Sequence, residues 1–250
     1  MEKPVRIAVA GAGVIGTFHI STINSLDELE LAAICEIDQR RAEQCREQYG
    51  VDVYNDYVEM LEEGDIEAVV IATPHYSHAP QAIEALKRGV HVLVEKPLGV
   101  YGKAVRRMIE AYREAQEKKE DLVCAAMFNQ RTYGHWRKIR DLVHNGELGK
   151  LLRSTWILTD WFRTQTYYRQ GTWRATWEGE GGGVLLNQCP HNLDLYQWIL
   201  GMPTRVHGHA YFGKYHDIEV EDDVTAFFEH ENGMIGHFIT TTGEAPGTNR

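Results

Sequence analysis

At 250 residues the chain can bury the core of one large domain or of two ordinary ones. Its 43% hydrophobic and 25% charged residues are those of a soluble globular protein, and a formal charge of −10 argues against nucleic acid or an anionic membrane as partner, since each needs a basic face. Cys35, Cys45, Cys124 and Cys189 are scattered without CxxC spacing, and no signal-peptide pattern or long apolar span occurs, which predicts free thiols in a reducing cytoplasm.

The first half alternates short apolar runs with segments of helical period. Runs at 5–10, 31–35, 68–72, 90–94 and 122–127 are continuously apolar, as in parallel strands covered on both faces. Between them, Ala79, Ala82, Ile83 and Leu86 share one helical face, and Gly89 ends that helix. Ala104, Val105, Met108, Ile109 and Tyr112 share another. Repeated βα units predict an α/β fold with a doubly wound parallel sheet over residues 1–127.

After Met127 the pattern changes. A helix is expected over 134–144, a strand-rich stretch over 150–162, then a loop rich in glycine and aromatics, and a further helix ending at Gly201-Met202-Pro203. Strands follow near 206–213, 224–230 and 234–242, with Asn232-Gly233 as a hairpin turn. The alternation of Val224, Ala226 and Phe228, and of Ile235, His237 and Ile239, predicts antiparallel pairing with one face covered. Residues 128–250 therefore read as an α+β domain with a large open, mainly antiparallel sheet. The turn-like ending 244–250 leaves that sheet with an open edge, so the chain is expected to be a stretch of a longer protein.

Gly11-Ala12-Gly13-Val14-Ile15-Gly16 follows the first strand and opens a helix. In that context the first glycine permits a tight turn and the second lets backbone N–H groups approach a pyrophosphate. The third lets the helix pack close to the sheet. A ribose-binding acid is due about twenty residues later, where Glu36 stands, with Asp38 close behind. Glu36 favours NAD by accepting from the ribose 2′-hydroxyl and repelling a 2′-phosphate. Arg40 and Arg41, which suit that phosphate, keep NADP as the alternative.

Further motifs stand in order along the chain: Ala72-Thr73-Pro74, Glu95-Lys96-Pro97, Asn129-Gln130-Arg131, and Gly181-Gly182-Gly183 leading to Asn187, His191 and Asp194. With them the chain resembles the Gfo/Idh/MocA family of dinucleotide-dependent sugar and polyol oxidoreductases over nearly its whole length. The resemblance implies a Rossmann domain followed by a substrate-binding domain through whose sheet the family forms dimers or tetramers. It also implies that Lys96 binds both the substrate hydroxyl and the cofactor region, that Glu95 orients the nicotinamide ribose or the lysine, and that Pro97 fixes the turn through a cis bond. Thr73, Pro74, His78 and Asn129 fall at cofactor-facing positions. The family's usual aspartate–histidine pair corresponds here to Asn187 and His191, and an asparagine cannot take a proton. Proton transfer is thereby left to His191 or Lys96.

Oxidation of a secondary alcohol needs a hydride acceptor, a proton acceptor and positive charge where the alkoxide develops. Lys96 supplies charge, and an imidazole with an ordinary pKa of about 6.5, as at His191, accepts a proton near neutrality. Trp161, Arg163, Tyr168 and Trp173 lie in an aromatic- and arginine-rich stretch before the glycine run that suits the faces and hydroxyls of a sugar. Core or subunit contact is the competing use of such residues. His75 and His78, like His207 and His209, lack a third ligand at metal-binding spacing, so no metal is expected. The leading reading is an NAD-dependent dehydrogenase acting on a sugar or cyclic polyol. An NAD-retaining glycosidase and a non-catalytic dinucleotide-binding regulator are the alternatives.

Overall fold

Apolar runs flanked by turn residues become strands in the computed structural model, which describes residues 3–171 and 173–250. The chain divides into two units, Met1–Met127 and Phe128–Arg250. In the first, β1 (Val5–Ala10), β2 (Leu29–Cys35), β3 (Asp52–Tyr54), β4 (Ala68–Ile71), β5 (His91–Val94) and β6 (Cys124–Ala126) form one parallel sheet. Its order is β3-β2-β1-β4-β5-β6. Helices α1 (Val14–Ile23), α2 (Gln39–Tyr49), α3 (Tyr57–Glu63), α4 (His75–Lys87) and α5 (Gly102–Gln116) connect the strands.

Side chains alternate across each strand, so the two sheet faces build separate cores. Ala8, Ala10, Val69 and Ile71 pack with Met60 of α3, Ala82 of α4 and Met108 of α5. Val9 and Val70 point the other way, to Ile20 of α1 and Cys45 of α2. Each such large apolar side chain contributes about 1.5–3 kcal/mol when fully buried. Strand order reverses between β1 and β4, and the carboxyl ends of strands beside such a reversal form a ligand crevice.

Sequence periodicity misses β3. It is three residues long, begins with Asp52 and has no apolar run, and it forms by adding to the edge of β2 from Ala33↔Asp52 to Cys35↔Tyr54. The last strand is shorter than its apolar run: Leu122 is buried ahead of β6 without joining the ladder.

The second unit contains a short 3₁₀ turn (Asn129–Thr132), α6 (Gly134–His144), β7 (Arg153–Leu158), α7 (Gln165–Arg169) and α8 (Pro190–Leu200). It ends in β8 (Arg205–Phe212), β9 (Glu221–Glu229) and β10 (Ile235–Thr241). The sheet order is β7-β10-β9-β8. Pairing is antiparallel through β8, β9 and β10, as the alternation predicts, but β7 joins β10 in parallel. A parallel partner needs a long crossover, and the chain from α7 through α8 and the β8–β9 pair provides it. Val224, Ala226, Phe228 and Phe238 bury one face against Tyr196 of α8. All of β8, by contrast, is exposed. Among the described residues no helix is long and apolar enough to cross a membrane.

Candidate active site

The three glycines of the turn between β1 and α1 meet different surroundings. Gly11 has φ +88°, and a Cβ there would lie 2.8 Å from the Ala72 carbonyl oxygen. A Cβ on Gly16 would lie 1.8 Å from the Gly11 carbonyl oxygen, so α1 packs on the turn only through a glycine. Around Gly13 nothing stands within 4 Å of the Cβ position. The turn is thus closed on the protein side and open at the N-cap of α1, where unpaired helical N–H groups favour an anion. Val14 and Ile15 are exposed beside it, Val14 by 83%.

Glu36 follows β2 and is only 4% exposed. Ala12 N–H in the glycine turn donates to its Oε2 at 2.9 Å, and Asp38 N–H donates to its Oε1 at 2.9 Å. Arg41 Nη2 also donates to Oε1, at 3.1 Å. The carboxylate thereby sits against the glycine turn and engages Arg41, one of the two arginines that would suit a 2′-phosphate. Asp38 caps α2 by accepting from Arg41 N–H at 2.9 Å, which gives it a structural use.

Thr73 and Pro74 lie between β4 and α4, with Thr73 Oγ1 donating to Gln81 Oε1 at 2.6 Å. His78 is buried, its Nδ1 2.6 Å from the Pro97 carbonyl oxygen and its Nε2 2.7 Å from that of Thr73. Its ring therefore ties the loop after β4 to the loop after β5 and is not presented to solvent, which departs from a cofactor-facing role. Burial lowers its pKa, against the opposing pull of the two carbonyls and Glu95.

The Lys96-Pro97 bond is cis. Glu95 Oε2 accepts from Lys96 N–H at 3.0 Å, and Oε1 lies 2.8 Å from Nε2 of His19 on α1. Burial pushes the Glu95 carboxyl up, but the His19 and Lys96 hydrogen bonds and nearby positive charge outweigh it and leave the pKa below the ordinary value.

In the second unit the glycine run is gripped by acids. A Cβ on Gly183 would lie 2.0 Å from the Glu221 carbonyl oxygen, so only glycine fits against β9. Glu221 accepts from Gly183 N–H and Leu185 N–H at 2.9 and 3.1 Å. Buried Glu180 accepts from the side-chain amide of Asn187. Pro190 occupies the first turn of α8, its missing N–H costing nothing there, and His191 follows it, edge-on to Phe128 with ring centroids 6.0 Å apart. Asp194 forms a two-toothed ion pair with Arg131, Nε to Oδ2 at 2.7 Å, which pins the 3₁₀ turn carrying Asn129 to α8.

The aromatic stretch does not gather into one surface. Tyr168 is buried and its hydroxyl donates to Thr242 Oγ1 at 2.8 Å, while burial pushes its pKa up to about 12. Tyr168 thus belongs to the core of this unit, contrary to a substrate-touching role. Trp161 lines a cavity of ≈510 Å³ with Trp136, Trp156, Ile199 and Asn192, and neither Asn187 nor His191 is in its lining. Arg163 lies over Trp161 and Tyr167, its guanidinium carbon 5.2 and 4.9 Å from their ring centroids. Arg174 stacks over Trp173 at 4.6 Å.

Two family models match this sequence. "Oxidoreductase family, NAD-binding Rossmann fold" covers residues 5–123, and "GFO/IDH/MocA C-terminal domain" covers residues 136–250. The chain belongs to the Gfo/Idh/MocA family. Its first unit is the NAD-binding Rossmann domain of that family. Myo-inositol 2-dehydrogenase of Thermotoga maritima is 30% identical over 205 residues, which is 79% of this chain and 55% of the relative. The NAD-dependent scyllo-inositol 2-dehydrogenase of Bacillus subtilis is 27% identical over 247 residues, 94% of this chain and 67% of that protein. Among solved structures, the WlbA dehydrogenase of Chromobacterium violaceum, in complex with NADH and UDP-GlcNAcA, superimposes with a TM-score of 0.90. It shares 26% identity, with 98% of this chain and 69% of that one covered. The chain thus spans about half to two thirds of the length of these Gfo/Idh/MocA proteins.

Sequence reasoning missed His19, Glu180 and Glu221. His19 lies just past the glycine motif and has no local signal that it meets Glu95. Glu180 carries one: a single acid inside Gly179-Glu180-Gly181-Gly182-Gly183 has no helix or strand to expose it. Glu221 opens the run Glu221-Asp222-Asp223, which reads as a solvated charge cluster. Instead Asp222 is fully buried, accepting from the backbone N–H groups of Lys214, Tyr215 and His216.

Proposed function

We propose that the full-length protein is an NAD(H)-dependent dehydrogenase that oxidises a secondary hydroxyl of a sugar, cyclic polyol or sugar derivative, or reduces the matching carbonyl. One observation carries this reading. Glu95 bonds at once to the backbone of Lys96 and to His19 of α1, so the lysine loop is fixed to the helix whose first turn is the open glycine cradle. The backbone of Lys96 is thereby held just past the carboxyl end of β5, on the side of the sheet where α1 begins.

Gly11, Gly13, Val14, Ile15 and Gly16 receive the pyrophosphate, and Glu36 the adenosine ribose. Thr73, Pro74, Glu95 and Asn129 complete the cofactor contacts, with His78 acting through the loops it joins. Bound NAD supplies a hydride acceptor. Lys96 holds the reacting hydroxyl and offsets its developing negative charge. His191 receives the hydroxyl proton, and Asn187 orients the substrate or the imidazole through its amide. Arg163 and Trp173 supply stacking and hydrogen-bonding surface to the rest of the sugar, while Trp161 stays with the separate cavity it lines. The inositol and sugar-nucleotide dehydrogenases that the chain resembles support this substrate class.

The exposed apolar residues of β8, Val206, Tyr211 and Phe212, support pairing of copies through this sheet. Four cysteines without disulfides support a cytoplasmic setting. The test is a panel of polyols and sugars offered with NAD and NADP to the full-length protein and to Lys96→Ala. The parent should reduce NAD with at least one compound. Lys96→Ala should bind NAD with nearly parental affinity and turn over about 10²–10⁴-fold more slowly. Parental turnover in Lys96→Ala removes the lysine from the reaction.

A further inference from the structure

Two buried carboxylates hold the glycine run ahead of Asn187, and they are used differently. Glu221 gives both oxygens to main-chain donors, Gly183 N–H and Leu185 N–H. Glu180, 2% exposed, gives one oxygen to the main chain, accepting from Ala175 N–H at 2.6 Å. Its other oxygen accepts from Asn187 Nδ2. A buried carboxylate is costly unless its oxygens are hydrogen-bonded. Backbone donors alone meet that need at Glu221, so the side-chain contact at Glu180 calls for another explanation.

The segment around Glu180 is tightly wound to make that contact. Ala175 has φ +61°, a conformation non-glycine residues seldom adopt, and Glu180 N–H and Gly181 N–H both donate to the Thr176 carbonyl. A Cβ on Gly179 would lie 2.2 Å from the Trp173 carbonyl oxygen. Asn187 is held as closely at its own backbone, where its N–H donates to the Gly183 carbonyl at 2.9 Å. Both ends of the contact are therefore fixed.

A carboxylate accepts and does not donate, so it decides which way the Asn187 amide faces: Nδ2 toward Glu180 and Oδ1 away from it. The anion also polarises the amide and strengthens Oδ1 as an acceptor. We propose that Glu180 is a positioning residue of the dehydrogenase site, which presents the Asn187 carbonyl oxygen as an acceptor and places a negative charge one side chain behind it. This role rests on the dehydrogenase reading above. In the oxidation direction the hydride leaves with NAD and the hydroxyl proton ends on His191. Glu180 only accepts throughout, and its charge favours the cation that forms on the imidazole.

The test is a charge exchange in the full-length protein. Glu180→Gln keeps the shape but removes the charge, and it should lower kcat about ten- to a hundredfold, the range of a charge-assisted hydrogen bond, with NAD affinity unchanged. Asn187→Asp sets two carboxylates against each other, and such a pair holds a shared proton more tightly than either would alone. Its kcat relative to the parent should therefore fall as pH rises and the shared proton is lost. The double variant Glu180→Gln/Asn187→Asp restores a single charge, so it should flatten that ratio and exceed Asn187→Asp by about tenfold at the alkaline end. Parental kcat in Glu180→Gln, even with a lower Tm, overturns the role and leaves Glu180 as a packing residue. A double variant no faster than Asn187→Asp overturns it as well. Lack of NAD-linked turnover by the parent across the panel removes the dehydrogenase reading and this role together, whereas an active parent with an indifferent Glu180→Gln removes the role alone.

Discussion

Replacing Gly13 by alanine separates cofactor binding from folding, because the three glycines of the turn have such different surroundings. Gly13 has φ −73° and ψ −168°, which alanine adopts readily, and nothing lies within 4 Å of the new methyl group. Restricting the unfolded chain stabilises by about 0.4–1 kcal/mol. Placing alanine at a helix N-cap costs a comparable amount, about 0.5–1 kcal/mol. Unfolding should therefore change by less than about 0.5 kcal/mol, or roughly 2 °C in Tm for a chain of this size. The same methyl group projects into the space where a pyrophosphate would approach the N–H groups of α1. Loss of one charge-assisted hydrogen bond, about 1.5–3 kcal/mol, raises the NAD Kd roughly 10- to 150-fold. Calorimetric titration of NAD and thermal unfolding of parent and Gly13→Ala measure both quantities. Gly16→Ala is the contrast: its methyl would stand 1.8 Å from the Gly11 carbonyl oxygen, and overpacking costs about 1–3 kcal/mol. A Gly13→Ala protein that binds NAD like the parent, or that unfolds as early as Gly16→Ala, refutes the assignment of the open cradle to the pyrophosphate.

Other outcomes follow from the same geometry. Glu36→Ala should weaken NAD more than NADP in parallel titrations, because it removes the ribose acceptor and frees Arg41; equal weakening means that the ribose is read elsewhere. Glu95 has its pKa lowered on folding, so its carboxylate stabilises the fold above the ordinary value of 4.5. That stability is lost as pH falls through the depressed folded-state pKa. The gap in urea stability between the parent and Glu95→Gln should thus be widest near neutrality and close in acid; a gap that does not depend on pH contradicts the ionised Glu95–His19 contact. Gly183→Ala, whose Cβ would lie 2.0 Å from the Glu221 carbonyl oxygen, should displace the turn carrying Asn187 and lower kcat about 10²-fold along with Tm. Parental kinetics in that variant would show that the glycine run does not set the site.

The Rossmann unit was legible because its signals are local. Continuous apolar runs, a glycine turn between strand and helix, and an acid after the second strand each announce themselves within a few residues. β3 escaped because a three-residue edge strand is made by its neighbour's free hydrogen-bonding groups and not by its own pattern. Glu36 could be named from motif and spacing, and Lys96, Asn187 and His191 through the family resemblance. The contacts that hold the loops before them could not: His19 meets Glu95 across 76 positions of sequence, and Glu221 meets Gly183 across 38. Tyr168 shows the opposite error. An aromatic among arginines looks available for a sugar, but only packing reveals that its hydroxyl is committed to Thr242. The parallel partnership of β7 with β10 was likewise hidden, since the alternation read in β9 and β10 concerns their own hairpin and does not reach a partner strand joined through a long crossover.

The central claim, that hydride passes between substrate carbon and NAD, is open to one direct measurement. A polyol or sugar that the panel shows to be oxidised is prepared with deuterium on the reacting carbon, and reduced cofactor is recovered from the full-length protein. The account predicts that NADH accumulates in step with the ketone and carries the deuterium, and that both signals vanish together in Lys96→Ala. Deuterium released to water, or a glycoside cleaved with no net reduced cofactor, contradicts it.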